Sequence, residues 1–155
     1  MSHFTDLRDY IDALDALGDV RTVERPVSAN LEAAAVTRRS YEIRAAAPLF
    51  TNIAEDRIGM RMFGAPAGVS SRPDMRLARL ALSIGLPPDT GAAALVDHLV
   101  RIRDAEPVPP QTVPRAGAPC KENVLLGEQA TLDRFAIPRL HETDGGCYVN
   151  TWGVI

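Results

Sequence analysis

Cysteine is scarce in this chain: Cys120 and Cys147 are the only two among 155 residues, and they form no CxxC pair. That argues against a disulfide framework and against a zinc knuckle, and it points to a reduced, cytosolic protein. Long apolar runs are also missing. None approaches the roughly 20 residues that a membrane helix requires. The first residues include His3, Asp6, Arg8 and Asp9 and hold no apolar leader core, so secretion is not expected. Basic clusters are absent as well, because no more than two Lys or Arg residues are consecutive and the net charge is −3. A protein that grips phosphate backbones needs a basic face, so nucleic acid is not an expected partner. No internal repeat is visible.

What is present is an ordinary globular composition, 46% hydrophobic and 24% charged, in a chain long enough for one real core. Leu7, Tyr10, Ile11, Leu14 and Leu17 recur at helical spacing. They predict a first helix over residues 6–17, with Thr5 as its cap and Gly18 as its stop. A short strand is expected over 20–23. Asn30 is placed to cap a second helix running to about residue 43. Strands are expected at 49–53 and 61–63. Ser71-Arg-Pro-Asp74 has the S-x-x-D capping pattern and predicts a third helix to about residue 84, ended by Gly85. A fourth helix, begun by Asp89 or Thr90, carries Leu95, Leu99 and Ile102.

The composition then shifts. Pro107, Pro109, Pro110, Pro114 and Pro119 crowd into one stretch, which predicts a stiff, extended connector. The expected organisation is an α/β unit over residues 1–105, a proline-rich linker over 106–119, and a separate β-rich beginning over 120–155. The last part should hold a strand at 121–126, a short turn at 132–135 and a strand from Tyr148. That strand, Tyr148-Val-Asn-Thr-Trp-Gly-Val-Ile155, has no polar tail after it, as if the sequence were a piece of a longer polypeptide.

Few side-chain constellations carry chemistry by spacing alone. His141-Glu-Thr-Asp144 offers potential metal ligands, yet the spacing is not HExxH and no second cluster follows. A polar loop before a strand is the simpler reading. Asp144-Gly-Gly146 suits a tight turn or a backbone nest for an anion. His98 beside Asp97 reads as a surface or packed histidine, because adjacent residues on a helix point about 100° apart. Cys120, next to Lys121, reads as an incidental thiol rather than a nucleophile. Gly64 and Gly68 lack the lysine and hydroxyl of a phosphate-binding loop. The Glu42–Arg44 and Arg101–Asp104 charges read as solvated helix faces. No catalytic residue and no metal ligand is assigned from the residues.

Two segments say more. Ala118-Pro-Cys-Lys-Glu-Asn-Val-Leu-Leu-Gly127 leads to Leu132-Asp-Arg-Phe-Ala-Ile-Pro138, and His141-Glu-Thr-Asp-Gly-Gly-Cys-Tyr-Val-Asn-Thr-Trp-Gly153 follows. Together they resemble the UbiD family of prenylated-FMN-dependent (de)carboxylases. The opening Asp6-Leu-Arg-Asp-Tyr-Ile11, Gly18-Asp-Val-Arg21 and Pro26-Val27 are similar to the family's usual start. The resemblance implies an N-terminal mixed α/β domain followed by the first strands of a split β-barrel, flavin-reductase-like domain. It implies non-oxidative removal or addition of CO2 on an aromatic, hydroxybenzoate-type acid, or on an α,β-unsaturated one. Prenylated FMN, Mn2+ and K+ would serve the complete enzyme, which would be a cytoplasmic homo-oligomer acting on a small carboxylic acid, with no membrane partner. None of these cofactors is expected to bind the 155 residues alone.

The family's Asn-x-(Gly/Ser)-Ile-x-Arg segment and its metal-binding His and Glu have no counterpart here, and Asn150 does not match its metal-ligand asparagine. Cys147 stands where the family commonly has Arg or Lys. The family's TwG threonine lies near the cofactor cavity, so the resemblance offers Thr151 as a cofactor-binding residue. The alternative is a barrel threonine that only packs. A non-catalytic accessory or assembly subunit, or a truncated remnant of the family, stays open beside the enzyme.

Overall fold

A computed structural model describes residues 4–147. The first helix, α1, spans Leu7–Ala16. Asp6, not Thr5, is its cap: the Asp6 carboxylate accepts from the backbone N–H groups of Arg8 and Asp9. Thr5 instead donates from its backbone to Asp9 at 3.0 Å. Gly18, at φ 70°, ends the helix as expected. The Gly18 amide donates to the Asp15 carbonyl at 2.8 Å and the Asp19 amide to that of Leu14 at 2.9 Å, the paired bonds of a Schellman stop. This turn aims the chain straight into β1, Val20–Val23.

Helix α2 spans Glu32–Glu42 and strand β2 spans Ala47–Phe50. β1 and β2 pair in parallel, with Val20 opposite Ala47 and Val23 opposite Phe50, so β1-α2-β2 is a crossover unit. β2 then pairs antiparallel with β3, Met62–Phe63, giving the sheet order β1-β2-β3. β2 starts two residues earlier than expected because the Ala47 amide is taken by the Asp19 carbonyl at 2.9 Å, which sets the register. Pro48 is tolerated in this central strand. The β2 amides that face β1 belong to alternate residues, and Pro48 offers only its carbonyl towards β3, where the Gly64 amide donates at 2.9 Å. Ile53 survives as a single parallel bridge to Val27.

Asn30 does not cap α2. Its flanking residues pair with Arg139 instead, and Leu31 takes the cap position at φ 70°. The Glu32 amide donates to the Asn30 carbonyl at 2.9 Å, closing a three-residue γ-turn on a leucine, a strained conformation for a side chain of this kind. Glu32 reaches back to accept from the Ser28 amide at 2.9 Å, which satisfies the entry to the helix.

The third helix is much shorter than its capping pattern suggested. α3 covers only Ala78–Ser83. The Ser71 amide and hydroxyl both donate to Asp19, 52 residues away, at 2.9 and 2.6 Å, so the first turn is consumed in a pinned loop. Asp74 accepts from the Arg72 side chain rather than from helix amides. α4, Ala92–Arg103, follows with Gly91 at its N-cap.

The core has two parts. Val27, Ala29, Ala33, Phe50 and Ile53 form one cluster between α2 and the sheet, with Val23, Val36, Met62 and Ala136 against it. Tyr10, Ile11 and Leu14 bury the inner face of α1 beside Ala78 and Ala81 of α3. Residues 106–114 carry no regular structure, and the exposed stretch that follows is built of four single 3-10 turns, Arg115–Gly117, Pro119–Lys121, Gly127–Gln129 and Leu132–Arg134. The strand expected at 121–126 does not form. A strand needs a paired neighbour, and no other strand reaches this segment among the described residues. The expected strand from Tyr148 lies outside the described residues. Among those described, no helix is long and apolar enough to cross a membrane.

Candidate functional site

The segment that carries the His-Glu-Thr-Asp motif returns to the α/β unit by backbone pairing. The Arg139 amide donates to the Ala29 carbonyl at 3.1 Å, and the Leu31 amide donates to the Arg139 carbonyl at 3.0 Å. This pairing seats Pro138, Leu140 and His141 over the first turns of α2.

The motif itself is a turn held by its own side chains. The Asp144 carboxylate accepts from the His141 backbone amide at 2.8 Å and lies 3.6 Å from its Nδ1. One Arg139 terminal nitrogen donates to the carbonyls of Glu142 and Asp144 at 2.6 and 3.1 Å. The polar-loop reading of these residues therefore has a geometric basis. Arg139 Nε is buried with no hydrogen-bond partner. Among the described residues, no group of three or more His, Cys, Asp or Glu side chains is placed to hold a metal ion. Both cysteines are exposed and free.

His141 and Glu142 nonetheless sit on the rim of an apolar groove of about 470 Å³. α2 supplies one wall through Ala34, Arg38 and Tyr41, β3 another through Met62 and Phe63, and the returning segment closes it. α2 lines the groove with small residues, and the missing side chain of Gly64 lets Thr37 and Pro48 pack closely against the chain just after β3. A Cβ on Gly64 would collide with Thr37 Oγ1 and lie 3.0 Å from Pro48 Cγ. The volume suits a small molecule or a few side chains. Its charges are mixed, Arg38 against Glu142, so it shows no preference for either sign.

The most deeply buried ion pair among the described residues lies elsewhere, and the sequence alone does not reveal it. Arg79 and Asp19 are almost completely buried, at 1% and 0% exposure. Arg79 meets Asp19 through Nε and a terminal nitrogen, both at 2.8 Å, in a bidentate pair. The remaining donors reach the carbonyls of Ala45 at 3.0 Å and Ala65 at 3.3 Å. The single Tyr10 hydroxyl proton is shared between the carbonyls of Pro66 at 2.6 Å and Arg79 at 2.9 Å. Burial alone would raise the Asp19 carboxyl, but the hydrogen bonds from Arg79 and Ser71 outweigh it and hold the group below the usual carboxylate range. Burial pushes the Tyr10 phenol up to about 12. This clamp ties the end of α1, the start of β2, the loop after β3 and α3 to one point, and it sets the frame on which the groove is built.

Thr151, the cofactor-binding residue implied by the resemblance, lies outside the described residues.

Comparison with known proteins supplies what the described geometry leaves open. The chain is 47% identical over 148 residues to the pyrrole-2-carboxylic acid decarboxylase of Pseudomonas aeruginosa, covering 96% of this chain and 29% of that protein. It is 35% identical over 150 residues to ferulic acid decarboxylase 1 of Saccharomyces cerevisiae, covering 96% of this chain and 30% of that one. The chain thus spans about 30% of the length of the curated relatives it matches. Among solved structures, vanillic acid decarboxylase of Sedimentibacter hydroxybenzoicus in its open form superposes with a TM-score of 0.79 at 28% identity, over 96% of this chain and 30% of that one. The fold is shared with a UbiD-class enzyme from Pelotomaculum thermopropionicum solved in complex with FMN, at a TM-score of 0.69, 22% identity, and coverage of 92% of this chain and 28% of that one. The family model of the 3-octaprenyl-4-hydroxybenzoate carboxy-lyase N-terminal domain matches residues 11–99, which is more than half of the chain, and the chain therefore belongs to the UbiD family.

Proposed function

We propose that this chain is the N-terminal part of a non-oxidative decarboxylase that acts on a conjugated carboxylic acid with prenylated FMN. The single observation that carries the reading is the 47% identity to a pyrrole-2-carboxylic acid decarboxylase, sustained over 96% of the chain. The substrate class is an acid whose carboxylate sits on an unsaturated carbon. The names of the relatives favour a heteroaromatic acid first and a phenylacrylic one second, ahead of the hydroxybenzoate type implied by the family resemblance.

Removing CO2 from such a carbon leaves an electron pair that no side chain stores well. Prenylated FMN, when bound, supplies the electron sink. Among the described residues no group of three or more His, Cys, Asp or Glu side chains is placed to hold a metal ion, and no step of the reaction is assigned to them. Their role in the proposal is positional. The Asp19–Arg79 clamp fixes the α/β unit, and the Arg139 pairing fixes the segment that leads into Thr151.

The finer parts of the proposal follow the family resemblance. Residues 1–105 are the N-terminal α/β domain, 106–119 the linker, and 120–155 the first strands of a split β-barrel. Thr151 faces the cofactor. Mn2+ and K+ accompany prenylated FMN in the complete enzyme, which is a cytoplasmic homo-oligomer. An exchange experiment tests the reading without waiting for net turnover. The full-length protein, loaded with prenylated FMN, is incubated with pyrrole-2-carboxylate or ferulate and 13C-bicarbonate. Incorporation of label into the substrate carboxyl is expected. Absence of label from both acids, with cofactor shown to be bound, contradicts the proposal.

A further inference from the structure

A second depression lies on the other side of α2, where the helix meets the outer strand of the sheet. It encloses about 450 Å³ and is walled by Val23 of β1, Val36 of α2, Ile43 just after that helix, Ala45 in the turn that follows, and Pro48 of β2. Its polar residues are Arg21, Arg39 and Ser40, and the Ser40 hydroxyl is already donated to the Thr37 carbonyl at 2.7 Å. Both charged groups on its wall are therefore guanidiniums, and no carboxylate lines it. That is unlike the groove at His141, whose lining includes both Arg38 and Glu142, and unlike the cleft beside Ala54, which carries Glu55, Asp56 and Asp133 with Arg57. It also runs against the chain as a whole, in which 20 acidic residues outnumber 17 basic ones.

The two arginines keep unused donors. Arg21 makes no ion pair or side-chain hydrogen bond among the described residues. Arg39 touches Glu42 through one terminal nitrogen at 3.2 Å, and Glu42 is shared with Arg38, also at 3.2 Å. One carboxylate divided between two guanidiniums leaves positive charge at the mouth of an apolar pit. A guanidinium matches the geometry of a carboxylate, and an apolar wall rewards a hydrocarbon body.

We propose that this pit binds a small apolar monocarboxylate, with the acid group between Arg21 and Arg39 and the hydrocarbon part against Val23, Val36 and Ile43. A multiply charged ligand fits less well, because only two cations are present and one is partly neutralised. The volume lies within the range of small-molecule sites, roughly 300–1,000 Å³. The inference does not rest on the decarboxylase reading, and its test involves neither flavin nor turnover, so each can fail while the other stands.

The probe is sodium benzoate, with benzamide as its neutral counterpart, titrated at constant ionic strength into the isotopically labelled 155-residue chain. Saturable shifts are expected at Val23, Val36, Ser40, Ile43 and Ala45, with benzamide at least tenfold weaker. Arg21→Gln and Arg39→Gln should each weaken benzoate about tenfold, equivalent to about 1.4 kcal/mol. Both side chains are on the surface, so both variants should keep the wild-type circular dichroism spectrum. Arg101→Gln, on exposed α4, should leave benzoate binding unchanged. Equal binding of benzamide, shifts that do not saturate, or wild-type affinity in both arginine variants would overturn the proposal. So would tighter binding of an acidic peptide than of benzoate, which would make the pit a peptide site.

Discussion

Replacing Arg79 with leucine should be among the most damaging single changes in the described part of this chain. The substitution strips a buried carboxylate of its bidentate partner and leaves the carbonyls of Ala45 and Ala65 without their donors. An uncompensated buried charge costs about 3–5 kcal/mol, and each orphaned carbonyl adds to it. Small domains hold only about 5–15 kcal/mol in total, so Arg79→Leu should sit near the edge of folding at 25 °C. In urea, with a slope of about 1–3 kcal/mol per molar, the midpoint should fall by about 2 M or more. Asp19→Leu alone should be comparably severe, because it buries an unpaired guanidinium. The double variant, Asp19→Leu with Arg79→Leu, should recover much of the loss, since apolar replacement of a buried ion pair is often neutral. The pH dependence has a definite sign. The Asp19 carboxyl titrates lower in the folded than in the unfolded chain, so the unfolded state binds more protons in between. Its contribution is complete above the unfolded value near 3.8 and is lost as pH falls through the folded value. Equilibrium unfolding followed by circular dichroism decides the matter. A cost below about 1 kcal/mol for Arg79→Leu, or a double variant worse than both singles combined, would refute the reasoning.

Three further outcomes are expected. Tyr10→Phe removes a hydroxyl whose proton is shared between the Pro66 and Arg79 carbonyls, and it should cost about 1–2 kcal/mol by chemical denaturation while leaving the fold intact. Gly64→Ala drives a methyl group into Thr37 and Pro48, and it should cost about 1–3 kcal/mol, with most of the loss recovered by Thr37→Ala in the same chain. In the full-length protein, if Thr151 faces the cofactor as proposed, Thr151→Val should fold normally but retain less flavin after desalting or turn over more slowly; full occupancy with unchanged kinetics would make Thr151 a packing residue only.

Much of the α/β unit is legible in the sequence because its signals are local. The apolar spacing of α1 and its Gly18 stop need no information from elsewhere, and the same holds for β1 and for Gly85 after α3. The start of α3 is not legible, because Ser71 has two possible uses and the fold chooses the distant one, Asp19. The strand expected at 121–126 fails for a related reason: its composition suits a strand, but composition supplies no partner. Arg79 does carry a readable signal. It interrupts the apolar run Leu77-Ala-Arg-Leu-Ala-Leu82, where a charge must either reach solvent or meet a buried partner. Nothing local identifies that partner as Asp19. The candidate site divides in the same way. The motif residues His141 to Asp144 stand out by spacing, and their turn forms as a polar loop should. The groove beneath them depends on α2, β3 and the Arg139 pairing meeting in space, which no single segment announces.

The proposed decarboxylation of conjugated acids can be tested by turnover of the full-length protein. The most direct measurement is CO2 release by the full-length protein reconstituted with prenylated FMN, Mn2+ and K+, with pyrrole-2-carboxylate, ferulate and 4-hydroxybenzoate tested side by side. Release above the flavin-only control is expected from at least one of these acids, greatest with pyrrole-2-carboxylate, and none from the 155-residue chain alone. A fully flavin-loaded protein that releases CO2 from none of the three, or a 155-residue chain that turns over without the remainder, would contradict the proposal.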